Sequence, residues 1–133
     1  MKVYNSWHSE VKAALEPVNL THPQFVVLTV LGYLNKNEPS QHISQKRIAT
    51  FSDIDAMTVS QIVALLEKKG LLFRRPHPLD SRARSLSVSE TGWNTLTAAI
   101  PLVEAVDHKF FGVLGEGQNT LMTLLKTLLE KNR

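Results

Sequence analysis

The stretch from Asp55 to Gly92, DAMTVSQIVALLEKKGLLFRRPHPLDSRARSLSVSETG, constrains the fold more than any other part of the chain. Val59, Ile62, Val63 and Leu66 recur at i, i+3, i+4 and i+7, the spacing that lays one apolar stripe along a helix. Asp55 can close the start of that helix as an N-cap. Lys68 and Lys69 suit the negative end of its dipole, and Gly70 supplies the left-handed residue that stops it. A helix with both ends signalled therefore commits one face to a core and leaves the other free.

A basic hairpin comes next. Leu71-Leu72-Phe73-Arg74-Arg75 is a short apolar run ending in charge, Pro76, Pro78 and Asp80 are turn formers, and Leu86 and Val88 then alternate with Ser85 and Ser87. That pattern predicts two strands with one buried face. Arg74, Arg75, Arg82 and Arg84 all fall on this hairpin and call for an anionic partner. On the free side of the preceding helix, Met57, Thr58, Ser60, Gln61 and Ala64 are small or uncharged groups that can approach base edges without burying a charge. Helix, stop and hairpin in this order read as a recognition helix with an attached wing.

The charge distribution agrees. The net charge is +3, yet residues 1–42 balance three basic against three acidic groups, residues 43–84 carry eight against four, and residues 85–133 carry four against five. The whole excess thus lies in the middle third, as phosphate contacts require.

At 133 residues and 43% hydrophobic content, the chain is long enough for one compact domain. Without cysteine it has neither a disulfide framework nor a thiol redox switch, which excludes cysteine-based peroxide sensing and makes the cytoplasm the expected compartment. The start, MKVYNSWHSEVKAALEP, lacks the apolar core of a signal peptide, and no run approaches a membrane span, so no membrane partner is expected.

Val3, Trp7, Val11, Leu15 and Val18 predict a first amphipathic helix ending near Pro17. Thr21-His22-Pro23-Gln24 has the signature of a capping box, and Phe25 to Leu34 is apolar nearly all round, as for a helix at the centre of a fold. Asn35 to Ser40 is expected to be a loop, His42-Ile43-Ser44 a short strand beside the hairpin, and Ser44 the cap of a brief helix, Gln45 to Thr50. Phe51-Ser52-Asp53-Ile54 is expected to be a tight turn with Phe51 and Ile54 packed inward, completing a helix-turn-helix. After the hairpin, Ser89 and Glu90 open a long helix in which Leu96, Ile100, Val103, Val106, Phe110 and Val113 recur, with a kink expected at Pro101. Gly115-Glu116-Gly117 breaks the chain before a last helix carrying Leu121, Leu124, Leu125, Leu128 and Leu129. The terminal helices hold more apolar surface than one small winged domain can cover, and a partner chain with the same surface is the economical solution.

Catalytic and metal chemistry find little support. His8, His22, His42, His77 and His108 show no paired ligand spacing, Gly115-Glu116-Gly117 lacks the strand and lysine of a phosphate loop, and the serines of 85–89 have no linked base. No metal, cofactor or enzymatic activity is expected. The rival to DNA binding is a winged-helix module for protein–protein assembly; the four hairpin arginines and a recognition face poor in large apolar residues weigh against it.

LTHPQFVVLTVL, MTVSQIVALLEKKGLLFRR, PLDSRARSLSVSETG and the closing leucine-rich helix together resemble the multiple antibiotic resistance regulator (MarR) family, over roughly Leu20 to Arg133. The resemblance implies a mainly α (α+β) winged helix-turn-helix, one domain over residues 1–133. Its winged core would span 21–92, and dimerisation helices would span 1–20 and 93–133. It implies a homodimeric regulator, commonly a repressor, bound to a pseudo-palindromic duplex and released by a small, often aromatic, effector. By position, Asp80 and Arg82 match the family's wing Asp-x-Arg, the arginine entering the minor groove, the aspartate orienting the hairpin, and Arg84 nearby. Ala56 to Gln61 match the base-reading start of the recognition helix, and Gln61 stands where relatives often carry Arg or Lys. Gln61 can pair with adenine, and Ala56 or Met57 can contact thymine methyls, which favours an AT-leaning site. Ser44, Lys46, Arg74 and Arg75 are the candidate phosphate contacts, and Trp7, Phe25, Tyr33 and Phe110 the candidates to line an effector pocket. The N-terminal segment is shorter than usual for the family, so a smaller contribution of the first helix to the dimer is expected. Operator, regulated genes and effector are not legible.

Overall fold

The computed structural model describes residues 1–132 except 78 and 79; for residues 76, 77 and 80–84 it describes the backbone alone. Helix α1 (Lys2–Leu15) passes through a 3-10 turn (Glu16–Val18) to α2 (His22–Asn37). Then come α3 (Gln45–Ser52), α4 (Ala56–Lys68), strands β1 (Leu72–His77) and β2 (Asp80–Val88), α5 (Glu90–Gly112) and α6 (Gly117–Lys131). Helices packed on a two-stranded antiparallel sheet make this a winged helix-turn-helix.

Local chemistry explains most boundaries. Thr21 Oγ1 accepts from the Gln24 N–H at 3.3 Å while Gln24 Oε1 accepts from the Thr21 N–H at 3.2 Å, the reciprocal capping box that sets the start of α2. Ser44, Asp55 and Ser89 cap α3, α4 and α5 in the same way through the N–H three residues on. Asp53 at φ 60° ends α3, and Gly70 at φ 75° ends α4.

Helix α2 lies at the centre. Phe25, Val27, Leu28, Leu31 and Leu34 are all buried, and α1, α3, α4, α5 and β2 pack around it. Val59, Ile62, Val63 and Leu66 of α4 meet Ile48 of α3 and Leu72, Leu86 and Val88 of the hairpin in the same core. Each such side chain contributes about 1.5–3 kcal/mol on leaving water.

Several local expectations need correcting. Helix α2 does not stop before Asn35 but runs on to Asn37, because Asn35 has a structural use: its amide donates to Leu86 O at 3.2 Å and accepts from Val88 N–H at 3.0 Å, imitating a neighbouring strand along the free edge of β2. Ile43 gives that edge a single backbone bond among the described residues, Leu86 N–H to Ile43 O at 2.8 Å, so 42–44 forms no third strand there. Phe51 belongs to the last turn of a longer α3 and faces outward, 47% exposed, against Tyr33; Ile54 does pack inward. Pro76 stands within β1, opposite Arg84, and the register shifts between Pro76 and His77. Pro101 lies inside α5, where the sequence places it.

The root of the wing, the end of α4 and the start of α5 share one tight junction. Ser89 Oγ donates to Gly70 O at 2.6 Å, Ser89 N–H donates to Leu71 O at 3.0 Å, and Gly92 lies so close that a β-carbon there would stand 2.0 Å from Leu71 O. By contrast α6 buries no residue: Met122, Leu124, Leu125, Leu128 and Leu129 are all exposed. Among the described residues no single helix is long and apolar enough to cross a membrane.

Candidate nucleic-acid interface

Because Val59, Ile62, Val63 and Leu66 turn inward, the opposite face of α4 is presented to the outside. Ala56, Met57, Ser60 and Gln61 are exposed together at its N-terminal end, Met57 to 73%. Thr58 is half-buried and takes part in the cap: its N–H reaches Asp55 Oδ1 at 2.9 Å and its hydroxyl donates to Asp55 Oδ2 at 2.6 Å. The Thr58 hydroxyl, reinforced by its N–H, holds the Asp55 carboxyl below the usual carboxylate range. Thr58 thus fixes the start of the helix and keeps only acceptor capacity for a base.

The basic groups differ in freedom. Arg75 is exposed on the outer face of β1, its guanidinium 4.8 Å above the Phe73 ring. Arg74 projects from the opposite face, opposite Leu86, and its Nε donates to Glu67 Oε1 of α4 at 3.1 Å. It already has an anionic partner within the chain. Lys46 is exposed on the first turn of α3, and the Ser44 hydroxyl beside it accepts the capping bond from Arg47 N–H at 3.1 Å. Asp80, Arg82 and Arg84 fall in β2, but their side chains lie outside the described residues.

Two charged residues were missed from the sequence. Glu67 is one; spaced seven residues from Arg74 across a glycine stop, it gave no helical pairing signal. The other is Arg47, which pairs with Glu38 at 3.2 Å and lies over the Phe51 ring at 5.6 Å, tying α3 to the end of α2.

The four aromatics expected round an effector are spread out. Phe25 is in the core, Tyr33 is 53% exposed beside Phe51, Trp7 is half-buried against His22, and Phe110 meets Phe111 edge-on at 5.1 Å. An apolar cleft of about 320 Å³ opens between α5 and α6, lined by Phe111, Leu121, Met122 and Leu125 with Asp107 and His108. Among the described residues no group of three or more His, Asp or Glu is placed to hold a metal ion.

A core-packed helix-turn-helix whose second helix presents an uncharged outer face near its start, with a hairpin wing at its end, defines the winged helix-turn-helix class. Residues 19–83 match the model of the MarR family. The uncharacterized HTH-type transcriptional regulator YdcH of Bacillus subtilis (strain 168) is 40% identical over 123 residues, spanning 92% of this chain and 82% of its own. Transcriptional regulator HosA of Escherichia coli O111:H- is 30% identical over 112 residues, 84% and 78% of the two chains. Among solved structures, the transcriptional repressor CouR of Rhodococcus jostii RHA1, bound to a 23-mer DNA duplex, superposes with a TM-score of 0.83 at 26% identity over 96% of this chain and 87% of its own. The chain belongs to the MarR family of transcriptional regulators.

Proposed function

We propose that the chain is a repressor that binds duplex DNA as a homodimer, reading a pseudo-palindromic site whose half-sites lie about 10 bp apart. The observation that carries this reading is the outward face of α4, where Ala56, Met57, Ser60 and Gln61 stand exposed together on a helix anchored by its other side. In this reading Met57, Ser60 and Gln61 meet base edges, with Ala56 and Thr58 at the rim. Arg75 and Lys46 hold phosphates beside Ser44, and Arg74 joins them once released from Glu67. Asp80, Arg82 and Arg84 keep the wing roles that the family resemblance implies, Arg82 in the minor groove. CouR, captured on a duplex, supports the reading through its shared fold.

The second copy would cover α6, whose Leu124, Leu125, Leu128 and Leu129 stay exposed in their own chain, together with exposed Val3 and Tyr4 of α1. Residues 21–92 then act as the DNA-binding core, and 1–20 and 93–133 as the dimerisation helices. The cleft between α5 and α6, with the Phe111 ring in its wall, would take a small aromatic effector. Selecting the purified protein on random duplex DNA at near-physiological salt tests the reading. Enrichment of a two-fold symmetric, AT-leaning motif is the expected result, and weak binding without a motif would overturn it. The effector clause fails if no member of a phenolic library shifts the melting temperature or weakens binding to the selected site.

A further inference from the structure

Four side chains meet where α1 and α5 join the winged lobe: Trp7 and His8 of α1, His22 at the first position of α2, and Asp107 of α5. The His8 and His22 rings lie edge-on with centroids 5.1 Å apart, and His22 also meets the Trp7 ring edge-on at 5.2 Å. Tyr4 covers the far side of His8 at 5.5 Å. The Trp7 Nε1–H donates to Asp107 Oδ1 at 2.7 Å, a bond that spans one hundred residues and ties α1 to α5. A cleft of about 400 Å³ beside the two histidines brings in Lys12 from α1, Glu16 from the 3-10 turn and Lys69 from the C-terminal end of α4.

We propose that His22, packed edge-on against His8, forms a proton-operated latch: neutral, it holds the first turns of α1 on the start of α2, and protonated it loosens them. In the closed arrangement a proton on His22 would sit partly out of water, against a second imidazole, near Lys12 and Lys69, and at the positive end of the α2 dipole. Glu16 and Asp107 oppose this, but one oxygen of Asp107 is already taken by Trp7. The balance agrees with the direction of the His22 pKa, which lies below 6.5 chiefly through burial and then through His8, with Asp107 pulling the other way. The folded chain therefore binds fewer protons at His22 than the unfolded chain does. The stability of this junction is complete above about pH 6.5 and falls as the pH drops below that value. Since α1 and α5 are the helices proposed to pair with a second copy, releasing α1 would shift the lobes on DNA; that last link rests on the operator-binding reading.

The test tracks the ring protons of His8 and His22 by NMR, together with the melting temperature, from pH 8 to pH 5.5 in the natural chain, His22→Gln and His8→Gln. Affinity for the selected duplex is measured over the same range. The expected result is a His22 titration below 6.5 and a melting temperature that falls with acid in the natural chain but much less in His22→Gln. DNA affinity should fall over the same range in the natural chain and fall less in His22→Gln. A His22 titration at or above 6.5, or melting profiles that coincide for the natural chain and both variants, would overturn the latch. Failure to bind DNA at every pH would overturn the operator reading alone, leaving the latch to be judged on ring titration and melting.

Discussion

Arg74 on β1 and Glu67 on α4 face one another across the glycine stop, Nε to Oε1 at 3.1 Å, so the recognition helix and the wing are joined by a charge pair at the edge of the proposed DNA surface. Both groups are partly exposed, and a pair of this kind contributes at most about 1 kcal/mol to the fold. Its larger effect is to withhold a cation from phosphate. Glu67→Gln should leave the melting temperature nearly unchanged, raise affinity for unrelated duplexes, and steepen the dependence of log affinity on log salt by up to about one unit. A salt titration of both proteins on random DNA checks this.

Gln61 and Met57 are exposed on the outer face of α4, and no contact among the described residues holds them back from a groove. Gln61→Ala should relax preference at one position of the selected site, costing about 1–3 kcal/mol against the preferred base, while leaving the salt slope unchanged. Competition between the selected duplex and single-base variants separates this outcome from a general loss of affinity.

Asn35 satisfies two backbone groups of β2 at once, Leu86 O and Val88 N–H. In Asn35→Ala both would lose a protein partner at a half-buried position, so a loss of about 1–3 kcal/mol is expected. Chemical denaturation measures it. Faster amide exchange at Val88 would show that the damage lies at the wing edge.

The exposed leucines of α6 predict an assembly defect. Leu125→Asp with Leu129→Asp should convert the proposed dimer to a monomer in sedimentation and abolish binding to the proposed two-fold site. The helical content of the lobe should change little, because neither residue is buried in its own chain.

Asp55 and Thr58 predict a pH effect at the start of α4. The Asp55 carboxyl is held below its ordinary value by Thr58, so the cap is at full strength above the usual carboxylate range and is lost as the pH falls through the lowered value. Asp55→Asn should remove that acid limb from the exchange rate of the Thr58 amide.

Much of this was legible because local signals pointed one way. The Thr21–Gln24 box, the caps at Ser44, Asp55 and Ser89, the stop at Gly70 and the stripe on α4 each rest on residues a few positions apart, where spacing alone dictates contact. The errors arose where a distant partner overrode local preference. Asn35 looks like a loop residue until β2, some fifty positions on, is seen to need it. Phe51 looks like a core residue, yet Ile48 already fills the inward position of α3, and Phe51 is left on the surface beside Tyr33 and Arg47. The four aromatics lie apart within the chain for the same reason: residue type marks an aromatic as apt for a ligand, while only the packing of α1, α2 and α5 decides which rings share a space. The Trp7–Asp107 bond and the His8–His22 contact join residues whose separation carries no periodic signal.

The junction at Gly70, Leu71, Ser89 and Gly92 leaves no room for slippage between the recognition helix, the wing and α5. Helix α5, with 23 residues, rises about 34 Å along its axis and is fixed at its start to the end of α4 and the root of the wing. In the proposed operator-binding reading it would serve as a lever: each degree of tilt would move its far end by about 0.6 Å, and a displacement forced at that end would return as rotation of α4 and the wing. In the proposed dimer, anything that changes the spacing of the two winged lobes need not reshape either of them. It has only to move the far ends of α5, together with the α1 helices tied to them through Trp7 and Asp107.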